Sequence, residues 1–428
     1  MQLCAKMTAE LDSREFRLQL EIENTIGFRS EGKKRVRLVE NTLRVRLDSP
    51  FFQNFQKSNL CGDNLALIGI VAFAPIFSLR ACPNEAKGSP DFEEKIQRLT
   101  LQTNFEVSAS LKQSLKNVWL LPNIEFECFR KDFSANAPLV NARQSLAWGG
   151  GLDSSAALCI FQGLVDPYIL TAFGGLKGEG SPSIASQFKV SVIESNIKSL
   201  FDVSGFPMWL APTIPALLRN DNVCVTGTIL EAMFTQDGLS YRDNTKNKWA
   251  TLFHKRGKFH PIYYQSEYLN AKILHEKGIF REVCGDFISV WGKSLKSLRK
   301  AIYAAALDPE LGFKFLHEIE ALGIAIRDIS RFSEQSKLLN SVMEATRSIE
   351  SCGNSISLNC LKQQESCFTG PWATKTYPLE SAPLGLPEHF QSRLRTEWNH
   401  LSILEMSNED LADLEKYSFR TTAISTRV

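Results

Sequence analysis

Apolar and polar residues alternate one by one through much of the first 140 positions. In "REFRLQLEIEN" (14–24), Phe16, Leu18, Leu20 and Ile22 alternate with polar neighbours. In "KRVRLVENTLRVRLD" (34–48) the same beat runs through Val36 and Leu38, then Leu43, Val45 and Leu47. Period-two alternation predicts half-buried strands. "NVWLLPNIEFECF" (117–129) predicts a further strand pair around Pro122, the apolar stretch 65–79 a buried helix or strand pair, and "DFEEKIQRLTLQ" (91–102) a helix. Residues 1–139 therefore read as an α+β domain.

The pattern changes near residue 140. "RQSLAW" (143–148), "DPYILTAFG" (166–174), "KVSVIES" (189–195) and "NVCVTG" (222–227) are short apolar runs with strand character. Between them lie helical segments: "SSAALCIFQGL", "SPSIASQF" with its Ser-Pro start, and "MWLAPTIPALLR". Repeated βαβ units predict a doubly wound parallel sheet, Rossmann-like, over residues 140–305. "QSEYLNAKILHEKGIF" and "KSLKSLRKAIYAAAL" add amphipathic helices, and 306–428 reads as a helical C-terminal region interrupted by a polar stretch. The fold class expected is thus α/β, with an α+β domain before the parallel sheet and helices after it.

Composition narrows the partners. Lys and Arg total 49 against 47 Asp and Glu, so no global field draws the chain to nucleic acid or acidic lipid. The run 65–79 is shorter than the roughly 20 residues a membrane span needs, and Pro75 interrupts it. The ten cysteines form no dense framework and several sit in apolar runs, which predicts a reducing, cytoplasmic setting.

The chemistry concentrates in "SLAWGGGLDSSAAL" (145–158). A strand should end and a helix begin there. Glycines expose backbone amides, and a helix N-terminus adds unsatisfied N–H groups and partial positive charge, which together seat anions. Asp153 could hold Mg²⁺ beside a bound phosphate, and Ser154 and Ser155 could donate hydroxyls. The same residues also suit a plain turn, with Asp153 as N-cap and Ser154 beside it.

The order of residues resembles the Ser-Gly-Gly-x-Asp-Ser signature of the PP-loop ATP pyrophosphatases. Gly149, Gly150, Gly151, Leu152, Asp153 and Ser154 fall on its positions, with Gly149 where the signature has Ser. The resemblance implies that ATP binds with Mg²⁺, that the turn holds the pyrophosphate, and that Asp153 and Ser154 serve catalysis. A narrower resemblance is to the 7-cyano-7-deazaguanine synthase branch, whose late cysteine motif binds structural zinc. Here Cys284 stands at one ligand place, while Trp291, Ser294 and Ser297 occupy the others. One thiol, two hydroxyls and an indole do not make a tetrahedral zinc site, so the motif reads as degraded and no zinc is expected. The large N-terminal extension resembles the layout of enlarged relatives linked to phage defence.

Other candidate contacts follow. Gly227 and Thr228 sit at a predicted strand end, where doubly wound sheets collect ligands. "YRDNTKNKWATLFHKRGKFHP" (241–261) reads as a basic loop, with Arg242, Lys246, Lys255 and Arg256 available to phosphate or substrate. Glu267 opens a helix, as a substrate contact or as a partner of the helix dipole.

The expected function is an ATP-dependent ligase or synthase that forms AMP and pyrophosphate. It would adenylate a carboxylate or amide acceptor, such as a deazapurine, for attack by a nitrogen nucleophile. A nucleotide-binding scaffold or sensor and a tRNA-modifying enzyme are the alternatives. The expected partners are a small-molecule or protein-terminus substrate and a subunit from the same operon. Homodimerisation stays open, and neither membrane nor nucleic acid is expected.

Overall fold

The computed structural model describes residues 2–22, 28–29, 35–73, 98–118, 124–137, 143–176, 181–202, 208–230, 245–262, 264–284, 295–321, 345, 372–381 and 384–412. Two five-stranded sheets organise them.

The first sheet is mixed. It contains β1 (Gln2–Leu11), β2 (Glu15–Ile22), β5 (Thr42–Arg46), β6 (Arg98–Phe105) and β7 (Ile124–Phe133), in the order β5-β2-β1-β6-β7. A two-residue ribbon, β3 (Phe28–Arg29) and β4 (Arg35–Val36), lies outside it. β2 behaves as its alternation requires: Phe16, Leu18 and Leu20 are buried and their neighbours are more open. The central strand β1 was not expected. Its inward positions are Ala5, Met7 and Ala9, small or flexible residues that give a weak hydrophobic signal. Helix α1 (Gly62–Ala72) accounts for the first part of the apolar stretch, and every one of its residues is buried.

Two expectations fail in this region. Residues 98–102 belong to β6, not to a helix: Leu99 and Leu101 alternate inward between β1 and β7. The expected strand before Pro122 fails at its start, because Asn117 and Val118 end helix α2 (Ala109–Val118), whose Leu111 and Leu115 are buried at i, i+4 spacing; residues 119–123 lie outside the described residues.

The second sheet is wholly parallel: β8 (Gln144–Ala147), β9 (Asp166–Thr171), β10 (Ser191–Glu194), β11 (Val223–Thr226) and β12 (His260–Pro261). Its order is β10-β9-β8-β11-β12. Numbered within the sheet this is 3-2-1-4-5, the winding of a Rossmann-like α/β unit, and the direction of winding reverses between β8 and β11. The connecting helices are α3 (Leu152–Ile160), α4 (Pro182–Gln187) and α5 (Ile214–Arg219). Then come α6 (Thr245–Lys255), α7 (Glu267–Glu276), α8 (Phe280–Cys284), α9 (Leu295–Leu307) and α10 (Pro309–Ala321). A last helix, α11 (Glu388–His400), packs back on α3 through Phe390, which meets Phe161 edge-on at 5.0 Å.

The sheets join edge to edge. The chain after β10 bridges β5 at Val45–Ser195, and Leu38 bridges Phe201. Asn196 fastens the seam: its carbonyl accepts from Arg44 N (2.7 Å) and its amide donates to Glu40 Oε2 (2.7 Å) and Thr42 O (2.8 Å). One hydrophobic cluster runs across this seam, from Phe16 and Leu18 to Tyr168 and Leu217. A second lies on the other face of the parallel sheet, beneath α3, α7 and α9. Among the described residues no helix is long and apolar enough to cross a membrane.

Candidate functional site

The glycine turn lies where β8 ends and α3 begins, beside the reversal in winding. Gly150 takes a left-handed backbone, φ 72°. Gly151 is the N-cap residue, with extended φ −89° and ψ 174°, and a Cβ built on it meets nothing within 4 Å. Among the described hydrogen bonds none uses the amides of Gly150, Gly151, Leu152, Asp153 or Ser154; the first helical bond is Ser155 N to Gly151 O, 3.0 Å. Unpaired donors at a helix N-terminus, with free space beside Gly151, make a candidate anion seat.

Gly227 completes the seat from the neighbouring strand. A Cβ there would lie 2.3 Å from Ser154 Cα and 2.4 Å from Ser154 N. Only glycine lets the end of β11 press against the first turn of α3. Next to it, Thr226 Oγ1 is buried without a hydrogen-bond partner. Thr228 donates to Thr226 O at 3.4 Å and is half-buried.

The serines do not act as expected. Ser154 Oγ accepts from Gly149 N (3.0 Å) and donates to Gly151 O (3.2 Å), so it staples the turn instead of facing a ligand. Ser155 is fully buried, and its Oγ accepts from Trp148 Nε1 at 3.0 Å. Leu152 puts its side chain in the core and leaves only its N–H at the seat. What the turn offers is backbone.

Asp153 faces α7 and α9. Its Oδ1 accepts from Asn270 Nδ2 at 3.3 Å. Burial, and then the Glu267 charge, push its carboxyl up to about 6, while Lys300 and Arg299 pull the other way. Glu267 is itself interior and 2% exposed. It accepts from Arg299 Nε and, at 3.0 Å, from Arg299 Nη2, and also from Tyr303 OH at 3.1 Å. Burial raises its pKa, but Arg299, Lys300 and the Tyr303 hydroxyl together outweigh that and leave the carboxyl below its usual range. Glu267 opens α7, as expected, and its carboxylate is held in a buried ion pair. Lys300 is 2% exposed, and burial lowers its pKa against the pull of Glu267 and Asp153. Two carboxylates and two cations thus balance beside the turn.

Asn270, Arg299, Lys300 and Tyr303 were not anticipated. Arg299 and Tyr303 are four apart on α9 and reach the same carboxylate, a spacing visible in "RKAIY" once the partner is known.

From residue 245 on, the basic segment is not a loop over the turn. Residues 245–255 form α6, whose Trp249 and Phe253 are core residues. Arg256 pairs with Asp63 of α1 at 2.9 Å. The next residue, Gly257, touches Asn222 O at the start of β11. Gly227 lies five residues along, about 17 Å at strand rise, so Arg256 is at the wrong end of the strand. Lys255 is exposed at the end of α6. Arg242 and the Lys246 side chain lie outside the described residues, as do Trp291, Ser294 and the Ser297 side chain. Cys284 is buried in α8 and burial drives its thiol pKa well up. Among the described residues no group of three or more His, Cys, Asp or Glu could hold a metal.

The comparisons with known proteins add no name: no family model matches the chain, no curated protein matches it, and no solved structure matches it.

Proposed function

We propose that the chain binds ATP at the glycine turn and uses it as a PP-loop-type ATP pyrophosphatase, releasing AMP and pyrophosphate. The observation that carries this reading is the row of unpaired amides from Gly150 to Ser154 at the reversal point of a 3-2-1-4-5 parallel sheet. Hydrogen bonds to charged groups contribute about 1.5–3 kcal/mol each, so three or four amides suffice to hold a pyrophosphate. Lys300 and Arg299 offset the charges of Asp153 and Glu267, so no net negative charge stands beside the turn. Mg²⁺ would be held by Asp153 together with the phosphates and would neutralise charge there.

In the proposed reaction a carboxylate or amide oxygen of the acceptor attacks the α-phosphorus, and pyrophosphate leaves. A nitrogen nucleophile then displaces AMP. The chain's own part is positioning and electrostatic stabilisation. The test is to incubate the protein with ATP, Mg²⁺ and candidate acceptors, deazapurine carboxylates first, and to measure AMP and pyrophosphate. Wild type should form both in equal amounts, and Asp153→Asn should form neither while keeping its circular dichroism spectrum. Wild-type pyrophosphate release by the variant contradicts the assignment.

One observation favours a second reading, a nucleotide-binding scaffold without turnover. The Asp153 carboxylate already accepts from Asn270 inside a charge-balanced cluster. Tight MgATP binding with no AMP formed across the acceptor panel supports that reading.

A further inference from the structure

We propose that Asn270 is a positioning residue for Mg²⁺ at the glycine turn: its buried amide ties one oxygen of the Asp153 carboxylate and leaves the other for a cation carried on the ligand's phosphates. The inference rests on the reading of the turn as an ATP site, and it adds to that site a residue 117 positions away in the chain.

The two carboxylates beside the turn are held in opposite ways. Glu267 is saturated. Arg299 donates to both of its oxygens, and Tyr303 donates to one of them. A guanidinium fork of this kind fixes a carboxylate and cancels its charge on the spot. Asp153 has no such partner. Among the described residues its one side-chain hydrogen bond comes from Asn270 Nδ2 to Oδ1, at 3.3 Å, and none reaches Oδ2. Glu267 is interior, at 2% exposed, whereas Asp153 is only half-buried and stands on the first turn of α3. The open oxygen therefore belongs to the carboxylate at the edge of the cluster, next to the unpaired amides.

The choice of asparagine matters. Asn270 is 2% exposed and lies three residues after Glu267, on the same face of α7. Its amide is neutral, so it orients the carboxylate without cancelling its charge. Burial and the Glu267 charge favour the protonated acid at Asp153; Lys300 and then the Asn270 hydrogen bond favour the anion. A carboxylate held by one oxygen and charged at the other suits Mg²⁺, which binds one or two carboxylates together with substrate phosphates. Hydrogen-bond partners of metal-binding carboxylates orient them, and their loss typically costs about 10–100-fold in metal affinity. The need for a cation follows from the surroundings. Asp153 and Glu267 balance Arg299 and Lys300, so these residues leave no surplus positive charge for a polyphosphate. The ligand has to bring its own counter-ion.

The test is calorimetric titration of the full chain with ATP across a series of Mg²⁺ concentrations, with EDTA as the zero. Four proteins are compared: wild type, Asn270→Leu, Asn270→Ala and Tyr303→Phe. Thermal melts confirm folding, and the alanine variant carries the test where the leucine does not fold. In wild type Mg²⁺ should tighten ATP binding. In the Asn270 variants the Mg²⁺ concentration that gives half of this gain should rise about ten- to hundred-fold, while ATP affinity in EDTA should not fall. Tyr303→Phe removes a bond to Glu267 and none to Asp153, so it should keep the wild-type Mg²⁺ response. ATP affinity that falls equally with and without Mg²⁺ makes Asn270 merely structural and overturns the inference. An unchanged Mg²⁺ response in the Asn270 variants, or the same shift in Tyr303→Phe, also overturns it and leaves the ATP reading standing. Wild type that binds no ATP in either condition overturns both.

Discussion

Replacing Gly151 by Asp isolates the electrostatic content of the glycine turn. Gly151 needs no glycine-specific backbone: its φ of −89° is open to any residue, and its Cβ would point into free space. Aspartate is also a preferred N-cap, better than glycine by a few tenths of a kcal/mol, and its charge suits the helix N-terminus by about 0.3–1 kcal/mol. The fold should therefore hold or gain slightly. Binding should not. A carboxylate about 4 Å from a phosphate oxygen costs about 4 kcal/mol per charge pair at an effective dielectric of 20. The carboxylate also competes for the very amides that the ligand needs. MgATP affinity should fall about a thousand-fold. Gly151→Ser is the control, a neutral cap of similar size that keeps affinity within a few fold. The assay is calorimetric titration with MgATP alongside thermal melts of all three proteins. Equal affinity in wild type and Gly151→Asp, with both folded, refutes the claim that the turn is an anion seat.

Two further outcomes follow from the same geometry. Gly227→Ala forces a methyl to within 2.3 Å of the Ser154 backbone, so it should cost about 1–3 kcal/mol in urea unfolding and weaken ATP binding with it; wild-type stability would show that the strand end and helix are not pressed together. Asp153 has a folded pKa raised by burial to about 6, above the roughly 3.9 of an unfolded chain. The folded state therefore binds the proton more tightly, and the stability this lends, full below about pH 4, is lost as pH rises through 6. Asp153→Asn should then be more stable than wild type at pH 7, by up to about 3 kcal/mol, with the gap closing near pH 4 in parallel denaturant titrations. A gap that widens on acidification contradicts the sign.

Four of the five strands of the parallel sheet could be read from the chain because each is a short apolar run bounded by turn residues, whereas β12, His260–Pro261, lay in the segment read as a basic loop. "RQSLAW", "DPYILTAFG", "KVSVIES" and "NVCVTG" all contain the strands observed. β1 hid because alanines carry its inward face, and an alanine every second residue barely registers as hydrophobic. α6 hid because its lysines dominate a segment whose packing depends on two aromatic residues, Trp249 and Phe253. The glycine turn was placed correctly between strand and helix, but local sequence does not tell which donors face outward. Trp148 claims Ser155, and the turn claims Ser154. The charge cluster around Glu267 was out of reach for a different reason. Its members come from α3, α7 and α9, and only the packing of those helices reveals that Arg299 is buried against a carboxylate rather than solvated.

The central claim concerns the backbone amides of Gly150 to Ser154, and hydrogen exchange reads them directly. Amide exchange should be followed residue by residue in the full chain, with and without saturating MgATP. Protection that rises at Gly150, Gly151, Leu152, Asp153 and Ser154, and disappears in Gly151→Asp, is the result expected. Bound ATP that leaves exchange at those amides unchanged, while protecting another part of the chain, would contradict the account.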